Sequence, residues 1–334
     1  VALSVTAPAV EQLWVSILAD LAEPAPAGGS APTVDHQASS VTQENRLTLT
    51  CDGAETRHSS DFAEIVDALV SWCTVVAILS RPGFVNLHAS GVVAPGTDRA
   101  VLAPAAPTSG KTTLAMGLCR QGWGYLSDEL VSLDPGDGRV RGYPKPLTLK
   151  AGASRMAGVD LAPVTVSPHQ QRWYVRPELR GSAPVPSALP TAVLVPTWQA
   201  GAPTEIADLT ITEATLALAT NCQDQLDAEG AALLALARLA ASTHRRRVVH
   251  DDLAALVALA QSLVAAEPTS GAAPRLVPNK GSTPKAGPVP DAAVCAVATA
   301  DGVALHNTIT QELVALDALG GAIFEMLDGH TPLD

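Results

Sequence analysis

Charge and aromatic rings are both scarce in this chain: 16% of its residues are charged and 3% aromatic, against 47% apolar. A core built from such a sequence rests on aliphatic side chains and alanine. Basic charge is short as well. The formal net charge of −12 gives no general attraction to nucleic acid or to an anionic membrane. The one dense basic run, THRRRVVH from Thr243 to His250, reads as a solvated helix end or an element facing an acidic region. Paired cysteines are missing: Cys51, Cys73, Cys119, Cys222 and Cys295 are scattered, which excludes a disulfide scaffold and a zinc-site spacing. Apolar stretches such as LAALVALAQSLVAA are too short or too interrupted to cross a bilayer. No basic segment followed by a hydrophobic targeting core opens the sequence. These absences lead to the expectation of a cytoplasmic protein with neither nucleic acid nor membrane as partner.

What is present is a series of alanine-rich helical stretches separated by proline-marked loops, within 334 residues holding 26 prolines. Residues 5–22 predict a short helix, broken by PAPAGGSAP. RLTLTCDGAETRH alternates around Asp52-Gly53 and predicts a hairpin. DFAEIVDALVSWCTVVAIL carries apolar residues at helical spacing. From Phe84 onward the pattern is strand, turn, strand, loop, helix, strand, an acidic pair and a further strand. Strands are expected at 191–198 and 203–209, and helices over 211–241 and 250–266. The stretch 267–291 reads as a linker from its Pro, Gly and Ser content. Beyond it, two short strands are expected around Asp301-Gly302, followed by a helix.

Three features carry chemistry. The first is the window Ala105-Ala106-Pro107-Thr108-Ser109-Gly110-Lys111-Thr112, followed by Thr113. In a phosphate loop, glycines let backbone amides converge on phosphate oxygens, a lysine reaches the terminal phosphates, and a hydroxyl helps hold magnesium. Gly110, Lys111 and Thr112 meet the demanding end, and the following helix turns its positive end toward the phosphates. Ala105 stands where such loops have a glycine. A left-handed backbone there would cost about 1–2 kcal/mol, whereas an extended one would cost nothing. Pro107 removes one amide from the cradle. The second feature is Asp128-Glu129 after the strand Gly124–Ser127, one carboxylate suited to magnesium and the other to accepting a proton. The third is His88, placed to hydrogen-bond and orient Asp128. Lys145 and Lys150, in YPKPLTLK, either neutralise phosphate or flank a strand.

LHASGVV, the loop with YLSDELVSLDPGDGRV, and YPKPLTLK together resemble the serine kinase family related to HPr kinase/phosphorylase, over roughly residues 84–240. The resemblance implies an α/β fold: a P-loop kinase core of the HPr kinase type at 84–266, with a small N-terminal α/β module at 1–83 and a small C-terminal strand-helix segment. It implies transfer of phosphate from ATP, with Mg2+, to a serine hydroxyl of a peptide or protein. Carried over by residue, Lys111 contacts the β and γ phosphates, with Ala106, Pro107, Thr108, Ser109, Gly110, Thr112 and Thr113 around the nucleotide. Asp128 deprotonates the acceptor, and His88 pairs with it. Thr112 and Glu129 serve the metal, with Glu178, in PELRG, as a further metal-side carboxylate. Glu129 stands where the archetypal enzymes usually have a second aspartate. Residues 292–334 resemble the opening of PqqD-like peptide-recognition domains, with Leu327-Asp328-Gly329 as part of the hallmark. That implies a peptide or small protein partner bound as an added strand, the class of ribosomal peptide precursors included. The archetypes self-assemble, so a homo-oligomer stays open here. A small-molecule hydroxyl kinase and a non-catalytic nucleotide- and peptide-binding adaptor use the same residues and stay open too.

Overall fold

A computed structural model describes residues 2–5, 37–43, 46–156, 164–167, 170–176, 181–223, 226–227, 229–267, 272–278, 290–291 and 293–327. Apart from residue 5, the helix expected at 5–22 falls outside these residues. The first unit is a sheet of β1 (Ala2–Val5), β2 (Gln37–Gln43), β3 (Arg46–Cys51) and β4 (Ala54–Ser59), backed by helix α1 (Phe62–Leu79). The Asp52-Gly53 pair makes the predicted hairpin, both residues having positive φ (50° and 76°), the geometry that twists with the strands. Leu49 and Cys51 pack on Ile65, Val66 and Leu69 of α1.

The central sheet is mixed. It contains β5 (Val85–Val93), β6 (Arg99–Pro104), β7 (Gly124–Ser127), β8 (Leu130–Leu133) and β9 (Val140–Arg141). A side sheet of β10 (Leu147–Lys150), β11 (Val164–Ser167) and β12 (Gln170–Val175) follows. The chain then returns to the central sheet with β13 (Ser187–Trp198), β14 (Glu205–Asp208) and β15 (His244–His250). The central order is β14-β15-β13-β6-β5-β8-β9, with β7 on β5 and β9 pairing back to β13. That last pairing closes five strands into a small barrel. β6, β13 and β15 run parallel, so their carboxyl ends meet at one edge.

Period-two alternation builds both faces. Ala100 and Leu102 of β6 and Val193 of β13 join a core with α4 (Ile211–Thr220) and α5 (Ala231–Ala241). Val101, Ala103, Ala192 and Leu194 point the other way, onto α2 (Lys111–Cys119) and α6 (Leu253–Ala265). A short α3 (Ala151–Met156) continues from β10. The THRRRVVH run forms β15, a strand and not a helix end. Its lateral pairing with β13 and β14 decides this, and Arg245 and Arg246 are spent on backbone carbonyls and on Asp208.

The C-terminal unit is the sheet β16 (Arg275–Val277), β17 (Val294–Ala298), β18 (Gly302–Asn307) and β19 (Leu313–Asp317), with α7 (Ala318–Glu325). β16 corrects the linker reading at 275–277: Pro274 and Pro278 bracket an edge strand, a place where proline is tolerated. Leu327 is described, and Asp328-Gly329 lies outside the described residues. Gly302 is required by close approach, since a Cβ there would lie 2.0 Å from the Leu316 carbonyl oxygen. The unit is fastened to the central one by Asp301, whose carboxylate accepts from the N–H groups of Ile211 (2.6 Å) and Thr212 (3.0 Å) at the start of α4. Asp301→Ala is expected to cost about 1–2 kcal/mol, as for loss of a helix cap. Hydrogen exchange at the Ile211 and Thr212 amides checks it; unchanged protection would contradict the fastening role. Among the described residues no helix is long and apolar enough to cross a membrane, and none of the five cysteines is in a disulfide.

Candidate functional site

The loop at 105–110 connects β6 to α2 at the edge where the parallel strands end, the usual place for a ligand crevice in such sheets. Its left-handed residues are Thr108 (φ 69°) and Gly110 (φ 102°). Ala105 is not one of them, so the missing glycine carries no backbone penalty. The strain falls instead on Thr108, a β-branched residue in a region it rarely adopts, at about 1–2 kcal/mol. Gly110 ends the loop against a neighbour: a Cβ there would lie 3.0 Å from His250 Nε2.

Lys111 opens α2, buried, its ammonium donating to the carbonyl oxygens of Ala105 and Ala106 (3.0 Å to the latter). Burial pulls its pKa down to about 8, against the opposing pull of Asp128 and Glu129. The folded chain therefore releases this proton between about 8 and the ordinary 10.5, where the unfolded chain still holds it, so stability rises with pH across that window. Binding of a phosphate through the charged ammonium runs the other way and is expected to weaken as pH climbs through about 8. Calorimetric titration of nucleotide at pH 7 and pH 9 checks this; equal affinities would remove the Lys111 charge from binding.

Asp128 sits at the turn after β7, where Ser127 Oγ accepts from the Glu129 and Leu130 amides. Three donors surround its carboxylate. Lys145 Nζ lies 2.7 Å and the Tyr125 hydroxyl 3.0 Å from Oδ1, while the Thr148 amide donates to Oδ2 at 3.0 Å. Lys145 also reaches Glu129 at 3.1 Å and is 1% exposed. Burial works against its charge, but Asp128 and Glu129 outweigh that and raise its pKa. Of the two readings of Lys145, phosphate neutraliser or strand flank, its place just ahead of β10 agrees with the second, and its side chain is a buried counter-ion to Asp128 and Glu129. Lys150 stays exposed on the cleft wall.

His88 is half-buried in the middle of β5, opposite Leu130 of β8. The expected hydrogen bond to Asp128 is replaced by the contacts from Tyr125, Lys145 and Thr148. Asp128 acts on His88 only through its charge, while burial and then Lys111 lower the imidazole's pKa. Glu178 lies outside the described residues.

The structure gathers these groups around one cleft of about 490 Å³. Its walls include His88, Pro107, Thr108, Gly110, Lys111, Thr112, Thr113, Asp128 and Glu129. Ala106 and Ser109 belong to the loop without lining the cleft. Trp198 and His250 also line it, and sequence reasoning passed over both. The available signal was their place at the ends of strands parallel to β6.

No family model matches the chain, and no curated protein matches it. Among solved structures it is similar in part to the Hpr(Ser) kinase/phosphatase from Coxiella burnetii, at 13% identity. That match covers 54% of this chain and 93% of the other, with a TM-score of 0.26. What this chain shares with that kinase/phosphatase is a weak, partial likeness of α/β fold.

Proposed function

We propose that this chain is a nucleotide-dependent kinase that transfers the γ-phosphoryl group of ATP to a serine or threonine hydroxyl of a peptide or protein. The observation that carries the reading is the meeting of Lys111 and Thr112, at the start of α2, with Asp128 and Glu129 in a single cleft. Phosphoryl transfer asks for little beyond an aligned acceptor, neutralised phosphates and a proton acceptor. Lys111 and the first amides of α2 receive the β and γ phosphates. A carboxylate offers about four lone-pair sites, and the three donors on Asp128 leave room for an acceptor hydroxyl. That hydroxyl oxygen bonds to the γ-phosphorus, the bridging P–O bond to the β-phosphate breaks, ADP leaves, and Asp128 takes the proton.

Among the described residues no group of three or more His, Cys, Asp or Glu could hold a metal. Magnesium in such sites is held by one or two carboxylates together with substrate phosphates, a role that Thr112 and Glu129 fit; it would supply neutralisation of phosphate charge. For the acceptor, the C-terminal sheet offers β19 as an edge strand, with Val314, Ile323 and Met326 exposed close by. An extended peptide adds to such an edge through its backbone, which favours a peptide acceptor; a ribosomal peptide precursor is one member of that class.

Asp128→Asn, which leaves Lys145 with Glu129 as its remaining carboxylate and is first shown to be folded by circular dichroism, is expected to keep nucleotide binding and to suppress transfer by about 10²–10⁴-fold, the range of a general base. Intact-mass analysis of candidate peptides after incubation with Mg·ATP checks this. Full activity in the variant would remove Asp128 from the chemistry.

A further inference from the structure

The half of the cleft away from Asp128 has no role in the transfer just described, yet it is built from specific groups. His250, the last residue of β15, is 3% exposed. Neither ring nitrogen has a hydrogen-bond partner, a costly state for buried polar atoms. Its Nε2 faces Gly110 of the phosphate loop, and the residue lines the cleft. Beside it, in register on the parallel strand β13, is Trp198. In a chain with 5 tryptophans, this one is 46% exposed. Its indole is held in place: Nε1 donates to Asp251 Oδ1 at 3.1 Å, and Asp251 Oδ2 accepts from the Gly201 amide at 2.7 Å. Leu253, at the start of α6, and Pro107 add apolar surface to the same wall.

An exposed, oriented indole face beside buried unsatisfied ring nitrogens, next to a phosphate loop, matches a flat heteroaromatic group with polar edges. We propose that Trp198 and His250 form the nucleobase subsite: the base stacks on the Trp198 indole, and the His250 imidazole hydrogen-bonds its edge. This rests on the nucleotide reading above and adds to it the residues that recognise the base. Stacking on an aromatic side chain tolerates any base, because every base has a π-face.

The test titrates the full chain by calorimetry with two probes, Mg·ATP and inorganic tripolyphosphate, which carries the phosphates without a base. The wild type is expected to bind both. Trp198→Ala, an exposed substitution, is expected to weaken Mg·ATP by about 5- to 150-fold and to leave tripolyphosphate unchanged, with Trp198→Phe restoring most of the loss. His250→Ala, if folded by circular dichroism, should show the same selectivity. Equal binding of Mg·ATP by Trp198→Ala and wild type would overturn the subsite while the phosphate site stands, as would equal weakening of both probes. A wild type that binds neither probe would overturn the nucleotide reading and the subsite together.

Discussion

Replacing Lys145 by methionine is expected to destabilise the chain by about 3–5 kcal/mol, the cost of removing one partner from a buried ion pair. The side chains of Lys145 and Asp128 are 1% and 2% exposed, with 2.7 Å between them. Methionine fills a similar volume, so the loss is electrostatic and not a cavity effect. What remains is a buried carboxylate with the Tyr125 hydroxyl and the Thr148 amide but no cation in contact. The proposed base would lose the ammonium that holds it in place and be disabled along with the fold. Because the Lys145 pKa is raised above its ordinary 10.5, the pair's contribution is complete below that value and is lost only as pH rises through the higher folded value. Urea denaturation at pH 7 checks the prediction. The double variant Lys145→Met with Asp128→Asn should recover part of the stability, since no lone charge is then buried. A midpoint for Lys145→Met equal to wild type would show that the pair contributes nothing.

The same substitution at Lys111 is expected to have the opposite profile. Lys111 is also buried, but its partners are the carbonyl oxygens of Ala105 and Ala106, which do not balance a charge. Burial lowers its pKa to about 8, so the folded chain tolerates this ammonium at a cost. Lys111→Met gives up two hydrogen bonds, each worth about 1 kcal/mol, and removes that cost. The net change in stability should stay within about 1 kcal/mol, while phosphoryl transfer falls by on the order of 10²- to 10³-fold, as for loss of one charge-stabilising group. A buried ammonium that Asp128 and Glu129 only partly offset is the stability–function conflict that the proposed phosphate role would carry. Parallel urea and transfer measurements on the two variants check it; a large stability loss for Lys111→Met would make this lysine structural.

Much of the local organisation could be read from residue types. Asp52-Gly53 between alternating runs specified a hairpin, because only a turn with positive φ joins strands at that spacing. Gly110-Lys111-Thr112 between a strand and a helix located the loop, and Gly124–Ser127 ahead of Asp128-Glu129 located the acidic turn. The misreadings share one cause. THRRRVVH reads as a helix end or as an element facing an acidic region, since its composition is polar and basic; the first of these gives way to a strand because its pairing with β13 and β14 comes from distant chain. Arg275–Val277 was absorbed into a proline-rich linker, although two prolines around an edge strand are compatible with pairing.

By itself, then, the sequence determined where the glycine-lysine loop between strand and helix, the acidic pair and the Asp301-Gly302 turn would lie, because backbone preferences and hydrophobic period act over neighbouring residues. The tertiary structure alone decided what the charges do. Lys145 became a counter-ion in contact with its carboxylate and Lys111 a cation that Asp128 and Glu129 only partly offset, because burial and the distance to a carboxylate set the energy of a charge, and neither is visible along the chain. It also decided that Ala105 is harmless while Thr108 bears the strain, and that Trp198 and His250, far from the loop in sequence, stand beside it where parallel strands end.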